Sequence, residues 1–276
     1  KGQDNRFQII TMEQSFHGRT MATLSATGQE KIKKGFRPLL EGFIHVPFNN
    51  IDALASAMND KVCAVMMEPV QGEGGVIPAA PQYLIQVREL CDRFGALLIF
   101  DEVQTGMGRC GTLFAHQGYS VEPDIMTLAK ALANGVPMGA MLATEKAATG
   151  FGPGSHGSTF GGTPLAAAAA LQTLSLIQNP AFLSQVREKG KYFQNRLEQL
   201  AVKHPDRVKE IRGKGLLLGM ELDRDASSVV GHCHEQGCII NGIQDRILRF
   251  APPLIIETEQ IDQLVNVLDK VLNIRA

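Results

Sequence analysis

The chain has 276 residues, enough to bury one large α/β domain with a smaller one beside it. Its hydrophobic content of 44% and charged content of 20% are those of a globular protein, and a formal net charge of −1 without any basic run leaves no electrostatic footprint for nucleic acid. The longest apolar stretch, Pro164 to Ile177, is interrupted by Gln172, Thr173 and Ser175 and falls short of a membrane span, and no secretory signal is legible.

In chain order, Lys1 to Arg6 leads straight into Phe7 to Met12, which reads as a strand already inside a domain. With no initiator methionine, the expectation is the latter part of something longer. Asn50 to Met58 reads as a short helix capped by Asn50, with Ile51, Leu54, Ala55 and Met58 on one face. Val62 to Glu68 reads as a strand, and Pro81 to Arg93 as an amphipathic helix burying Leu84, Val87, Leu90 and Cys91. Further strands are expected at Leu97 to Phe100, Ile125 to Leu128 and Gly139 to Ala143. This alternation predicts an α/β fold, a mostly parallel sheet with helices on both faces. Gly150 to Gly162 is a glycine-dense loop, and Thr163-Pro164 is a good helix entry. Beyond Pro180 the texture changes. A charged helix over Phe182 to Lys203, strands at Leu216 to Leu222, Cys238 to Ile240 and Ile247 to Phe250, and a helix from Glu257 to Ile274 suggest a small C-terminal α+β domain. The division expected is 1–179 and 180–276.

Of the five cysteines, Cys63, Cys91, Cys110, Cys233 and Cys238, none forms a CxxC pair. Cys233, flanked by His232 and His234 and near Cys238, invites a zinc reading, but no second ligand pair follows at metal spacing. An odd count without a framework suits a reducing, cytoplasmic setting.

The most informative segment is Gly95 to Gly106. Five apolar residues after a glycine read as a buried strand, and its end carries Asp101, Glu102, Val103 and Gln104. In open α/β sheets ligands bind beyond the carboxyl ends of strands. Lys130 then lies alone in the apolar stretch Leu128 to Leu132, where desolvation lowers an amine's pKa and makes it nucleophilic. An acid for a pyridinium nitrogen and a lysine for a Schiff base are what pyridoxal 5'-phosphate asks of a protein. Strand hydrophobics followed by Asp-Glu also describe the magnesium strand of a P-loop ATPase. The GxxxxGK[ST] loop that this rival requires is absent from the sequence.

Four more motifs accompany these residues: Ser15 to Thr20, Glu68 to Gly75, Gly157 to Gly162 and Arg249 to Leu254. In this order the set resembles the class III aminotransferases, and within them the acetylornithine branch, with the succinylornithine and ornithine enzymes nearby. The resemblance runs from Phe7 onward and implies the fold type I of pyridoxal-phosphate-dependent transferases. It implies that Asp101 holds the ring nitrogen, that Val103 and Phe16 cover the two ring faces, and that Gln104 bonds the ring's phenolic oxygen, with Glu102 and Glu68 beside them. It implies that Lys130 carries the cofactor covalently and that Thr159 reaches its phosphate. Arg19 would bind the substrate α-carboxylate and Ser158 the substrate, while Glu73 and Arg249 pair as a switch between an amino donor and 2-oxoglutarate. His17 is left as a loop or supporting residue. Thr159 and Ser158 would act across a homodimer interface. The family's phosphate-binding turn upstream of the Phe16 motif has no counterpart here, which leaves a catalytically incomplete fragment as an alternative. For Phe16 and Val103 a plain core role is the alternative, and for Glu73 a solvated loop position.

Overall fold

The structure is a computed structural model that describes residues 4–274; residues 1–3, part of the segment from which an interior start was read, and residues 275–276 lie outside it. A six-stranded sheet runs in the order Phe43–Val46, Gln8–Met12, Val62–Met67, Leu97–Asp101, Ile125–Leu128 and Ala140–Ala143. All neighbours are parallel except the last pair, so the sheet is mostly parallel, as the alternation of elements implied. The helix Pro81–Phe94 buries Leu84, Val87, Leu90 and Cys91 against Val65, Met67, Leu98 and Phe100. Proline in its first turn and Gly95 at φ 62° in the left-handed region fix its two ends. The helix Pro164–Ile177 lays Ala170 and Ile177 against Met126 and Leu128.

A second, antiparallel sheet runs Asn241–Ile243, Ile247–Phe250, Leu217–Leu222 and Val208–Lys214. The helices Pro180–Lys203, Ser227–Glu235 and Thr258–Leu272 bury Phe193, Leu197, Ile261 and Leu268 with Leu218, Met220 and Leu248 of this sheet. A smaller cluster joins the two layers, with Val70, Val76 and Cys110 meeting Leu217, Ile243 and Ile247.

Several local expectations need correction. Residues 238–240 are unpaired, and the strand begins at Asn241. Gly237 ends the preceding helix in a left-handed turn (φ 77°), so the chain must swing round before it reaches the sheet, and Ile239 is left 92% exposed. The long helix starts at Pro180, because Asn179 caps it by accepting the Ala181 N–H at 2.9 Å. The strand Phe43–Val46 and the short helices Met21–Ala26 and Glu30–Lys33 carried too few residues to show a period.

Candidate active site

Three neighbouring parallel strands deliver the chemistry at their carboxyl ends: Gln8–Met12 leads to Phe16 and His17, Val62–Met67 to Glu68, and Leu97–Asp101 to Asp101 itself. Asp101 is 5% exposed. Its Oδ2 accepts from His17 Nδ1 at 2.8 Å, and its Oδ1 accepts from the Val103 N–H at 3.1 Å and the Thr127 hydroxyl at 3.4 Å. His17 is held in turn by its own N–H, which donates to Thr27 Oγ1 at 2.9 Å; its Nε2 is buried with no partner among the described residues.

Glu68 lies beside this pair, with Oε2 accepting from the Phe16 N–H and Oε1 from the Gly72 N–H, both at 3.1 Å. Burial pushes its carboxyl up to about 7, with His17 opposing the rise and the Asp101 charge adding to it.

Lys130 follows the strand Ile125–Leu128 as the first residue of a 3₁₀ turn, with its backbone at φ 48°. A residue with a Cβ is strained there, the kind of cost that clusters at functional positions. Burial pushes its amine below the usual lysine range. Asp101, Glu73 and Glu68 pull it back up, and Arg249 pushes it down. The ammonium therefore sits within electrostatic reach of all four side chains. Lys130 lines a cavity of about 770 Å3 with Val103, Gln104, Asn134, Phe182 and Leu254.

On the other side of Gln104, Arg249 Nη1 makes a 2.7 Å ion pair with Glu73 Oε1 and approaches Gln104 Oε1 at 3.4 Å, while Gln104 Nε2 donates to Glu73 Oε1 at 3.3 Å. Asn241 Oδ1 accepts from Arg249 Nε at 3.2 Å, so the guanidinium is aimed into the cluster. The cradle is tight: a Cβ on Gly72 would stand 2.4 Å from Gln104 Oε1. Arg19 is exposed, its guanidinium 5.7 Å from the Phe16 ring centroid, and it has no ion-pair partner among the described residues. It is free to take an anion.

One expectation does not meet this geometry. Glu102 was placed among the cofactor contacts, but its carboxylate is turned the other way. Oε2 accepts from Thr105 Oγ1 at 2.6 Å and the Ala115 N–H at 2.9 Å, and Oε1 accepts from the His116 N–H at 2.8 Å. Successive residues of a strand point to opposite sides, so Glu102 holds a loop where Asp101 faces the site. Ser158 and Thr159 lie exposed in the loop 150–162, and neither lines the cavity that holds Lys130. The sequence reading also missed Arg109. Its Nη1 donates to Leu216 O at 3.1 Å and Pro252 O at 2.5 Å, tying the loop after Asp101 to the second sheet at the cavity wall.

The donor set fits pyridoxal 5'-phosphate. A buried carboxylate held by three donors suits a ring nitrogen, and an amine with lowered pKa at the wall of a largely apolar cavity suits the aldehyde. Among the described residues no group of three or more His, Cys, Asp or Glu could hold a metal ion, and no helix is long and apolar enough to cross a membrane.

The sequence model of the family Aminotransferase class-III matches residues 1–272. The chain is 53% identical over 269 residues to the acetylornithine aminotransferase of Caldanaerobacter subterraneus, covering 97% of this chain and 68% of that protein. It is 52% identical over 264 residues to the acetylornithine aminotransferase of Methanocaldococcus jannaschii, covering 96% and 66%. Among solved structures, the ornithine aminotransferase of Toxoplasma gondii superposes with a TM-score of 0.92 at 34% identity, covering 99% of this chain and 66% of that one. Another structure of the same enzyme is described as having partial occupancy of PLP at its active site. The chain thus spans about two thirds of the length of the relatives it matches.

Proposed function

The chain belongs to the class III aminotransferases, a family of pyridoxal-phosphate-dependent transaminases of fold type I, and from that premise we propose that it moves the δ-amino group of N-acetylornithine to 2-oxoglutarate in arginine biosynthesis. The observation that carries the proposal is the placement of Lys130: a desolvated amine on a strained backbone, inside the reach of Asp101. The identity to acetylornithine enzymes favours that donor over ornithine itself.

When bound, pyridoxal phosphate supplies an electron-withdrawing ring that stabilises negative charge at the amine-bearing carbon. Lys130 Nζ would hold the cofactor covalently and, when free, would carry the proton to and from the amine-bearing carbon. An Asp101 carboxylate oxygen would hold the proton at the ring nitrogen, its orientation fixed by His17, Val103 and Thr127. Val103 and Phe16 would cover the ring faces, and Gln104 would bond the phenolic oxygen. Arg19 binds the carboxylate remote from the reacting carbon in both substrates, the α-carboxylate of the amino donor and the distal one of 2-oxoglutarate. Arg249 reads the carboxylate beside the keto carbon of 2-oxoglutarate when it leaves Glu73, and stays paired with Glu73 for the amino donor, which has no carboxylate on its reacting carbon.

Residues 1–179 act as the cofactor-bearing part and 180–276 as a smaller domain. The working unit is a cytoplasmic homodimer. Supporting the dimer, the helix Pro164–Ile177 is apolar apart from Gln172, Thr173 and Ser175 but buries only Ala166, Ala170 and Ile177, leaving Leu165, Leu171 and Leu176 exposed beside an exposed Phe160. A helix of that composition belongs inside an interface. The exposed Ser158 and Thr159 then serve the neighbouring subunit's site.

The test is a panel of acetylornithine, succinylornithine and ornithine with 2-oxoglutarate, combined with borohydride trapping of the cofactor and peptide mapping. Fastest transfer from acetylornithine with the pyridoxyl mass on Lys130 is expected, and Lys130→Ala should lose turnover almost entirely. The mass on another lysine, or transfer that survives Lys130→Ala, would overturn the mechanism.

A further inference from the structure

The helix Ser227–Glu235 ends in a specific hydrogen-bonded turn. The Cys238 N–H donates to Cys233 O at 2.8 Å, and the Gly237 N–H donates to His234 O at 2.9 Å, with Gly237 in the left-handed region at φ 77°. This pair of bonds is the Schellman closure, in which the residue after the left-handed glycine lays its side chain against the residue three back from the cap. In most helices two apolar side chains meet there. In this chain the two positions are occupied by Cys238 and Cys233.

Three further observations bring the sulfurs together. The 2.8 Å bond from Cys238 N to Cys233 O caps the separation of their Cα atoms at about 6.7 Å whatever its angle. That lies inside the roughly 4.4–6.8 Å over which a disulfide closes without moving the backbone. Cys233 is fully buried in the core of the second sheet's layer, and half-buried Cys238 packs against that same core. Burial pushes the Cys233 thiol up to about 11, and the proximity of Cys238 adds to the rise.

We propose that Cys233 and Cys238 form a redox-active dithiol that closes to an intramolecular disulfide when it meets a peroxide. Cys238, the more accessible sulfur, attacks first: an S–O bond forms, the O–O bond breaks, and the departing hydroxide leaves as water with a proton. The Cys233 sulfur then attacks the sulfenic sulfur of Cys238. An S–S bond forms, the S–O bond breaks, and the hydroxide takes the Cys233 proton as a second water. Two thiols lose two electrons and the peroxide gains them. The other cysteines lack this arrangement: Cys63 donates to Gln8 O from its strand, and Cys91 and Cys110 are buried with thiols pushed up to about 12. The bridge also reaches toward the site, since Cys238 stands three residues before Asn241, which orients Arg249.

This inference is independent of the proposed activity, and its test does not need turnover. The reduced protein is treated with hydrogen peroxide, quenched in acid, alkylated, digested and mapped by mass spectrometry. A loss of two hydrogen masses located on a 233–238 crosslink, restored by dithiothreitol, is the expected result. In Cys238→Ser the crosslink should vanish while Cys233 stays a thiol that alkylates only after unfolding. In Cys233→Ala, Cys238 should instead accumulate oxygen adducts, because no second sulfur resolves it. Oxygen adducts on Cys238 in the parent protein without a crosslink would overturn the proposal. So would a crosslink that uses Cys63, Cys91 or Cys110, or two cysteines that remain unmodified while other residues oxidise.

Discussion

His17 and Asp101 meet at 2.8 Å from opposite ends of an 84-residue separation, and both side chains are almost wholly shielded from water. The imidazole fixes one carboxylate oxygen, leaving the other to the Val103 amide and the Thr127 hydroxyl. His17→Ala removes a donor from a buried carboxylate, which costs roughly 1–3 kcal/mol or more where the acceptor is charged. We expect a lower melting temperature and at least tenfold weaker cofactor binding by absorbance titration. His17→Asn, whose amide can occupy the Nδ1 position, should restore much of both. Equal losses in the two variants would mean that the ring's bulk matters and the hydrogen bond does not.

Glu68 predicts a pH signature. Its folded pKa of about 7 lies above the 4.5 of an ordinary glutamate, so the folded state keeps the proton more tightly. The stabilisation is complete below pH 4.5 and is lost as pH rises through about 7, a difference on the order of 3 kcal/mol. Glu68→Gln carries no such titration. Melting curves of the two proteins should diverge between pH 4.5 and 7, the parent falling relative to the variant, and run parallel above that.

The Glu73–Arg249 pair separates the two half-reactions. Arg249→Ala should raise KM for 2-oxoglutarate by one to two orders of magnitude and leave the amino-donor half-reaction within about threefold, the scale expected for losing one charge-assisted contact. Arg19→Lys should raise KM for both substrates, since each presents a carboxylate remote from its reacting carbon. Stopped-flow measurement of each half-reaction distinguishes these patterns. Identical profiles for the two variants would remove the switch.

Sharing of Ser158 and Thr159 across subunits is tested by mixing. A Lys130→Ala subunit combined with a Thr159→Ala subunit gives a heterodimer with one site free of both lesions, if Thr159 acts in trans. Activity of the mixture should then exceed that of either parent. Were Thr159 to act within its own subunit, every site would keep a lesion and no rescue would appear.

The strand Leu97–Asp101 and the helix Pro81–Phe94 were legible because each carries a run or period of apolar residues long enough to outweigh local exceptions. Asp101 and Lys130 stand out as residue types out of place in apolar surroundings, and both prove buried or desolvated. Glu102 was misplaced despite the alternation that separates it from Asp101 and Val103, since two adjacent carboxylates look alike until their partners are known. His17 and Arg109 could not be found in the same way. Each works through groups far along the chain, and nothing within a few residues of either marks the role. The strand expected at 238–240 failed because three apolar residues in a row look the same whether they pair or turn; only the hydrogen bonds that close the preceding helix decide it.

The left-handed backbone at Lys130 has a consequence for anyone selecting variants of this protein by heat alone. Glycine at that position would relax the φ 48° strain and remove a desolvated amine at the same time, so in the cofactor-free protein Lys130→Gly should melt higher than the parent. Thermal robustness and covalent anchoring therefore pull in opposite directions at one residue. A screen that rewards survival at high temperature without asking for turnover would drift toward inert molecules, and would do so first at the position proposed to anchor the cofactor.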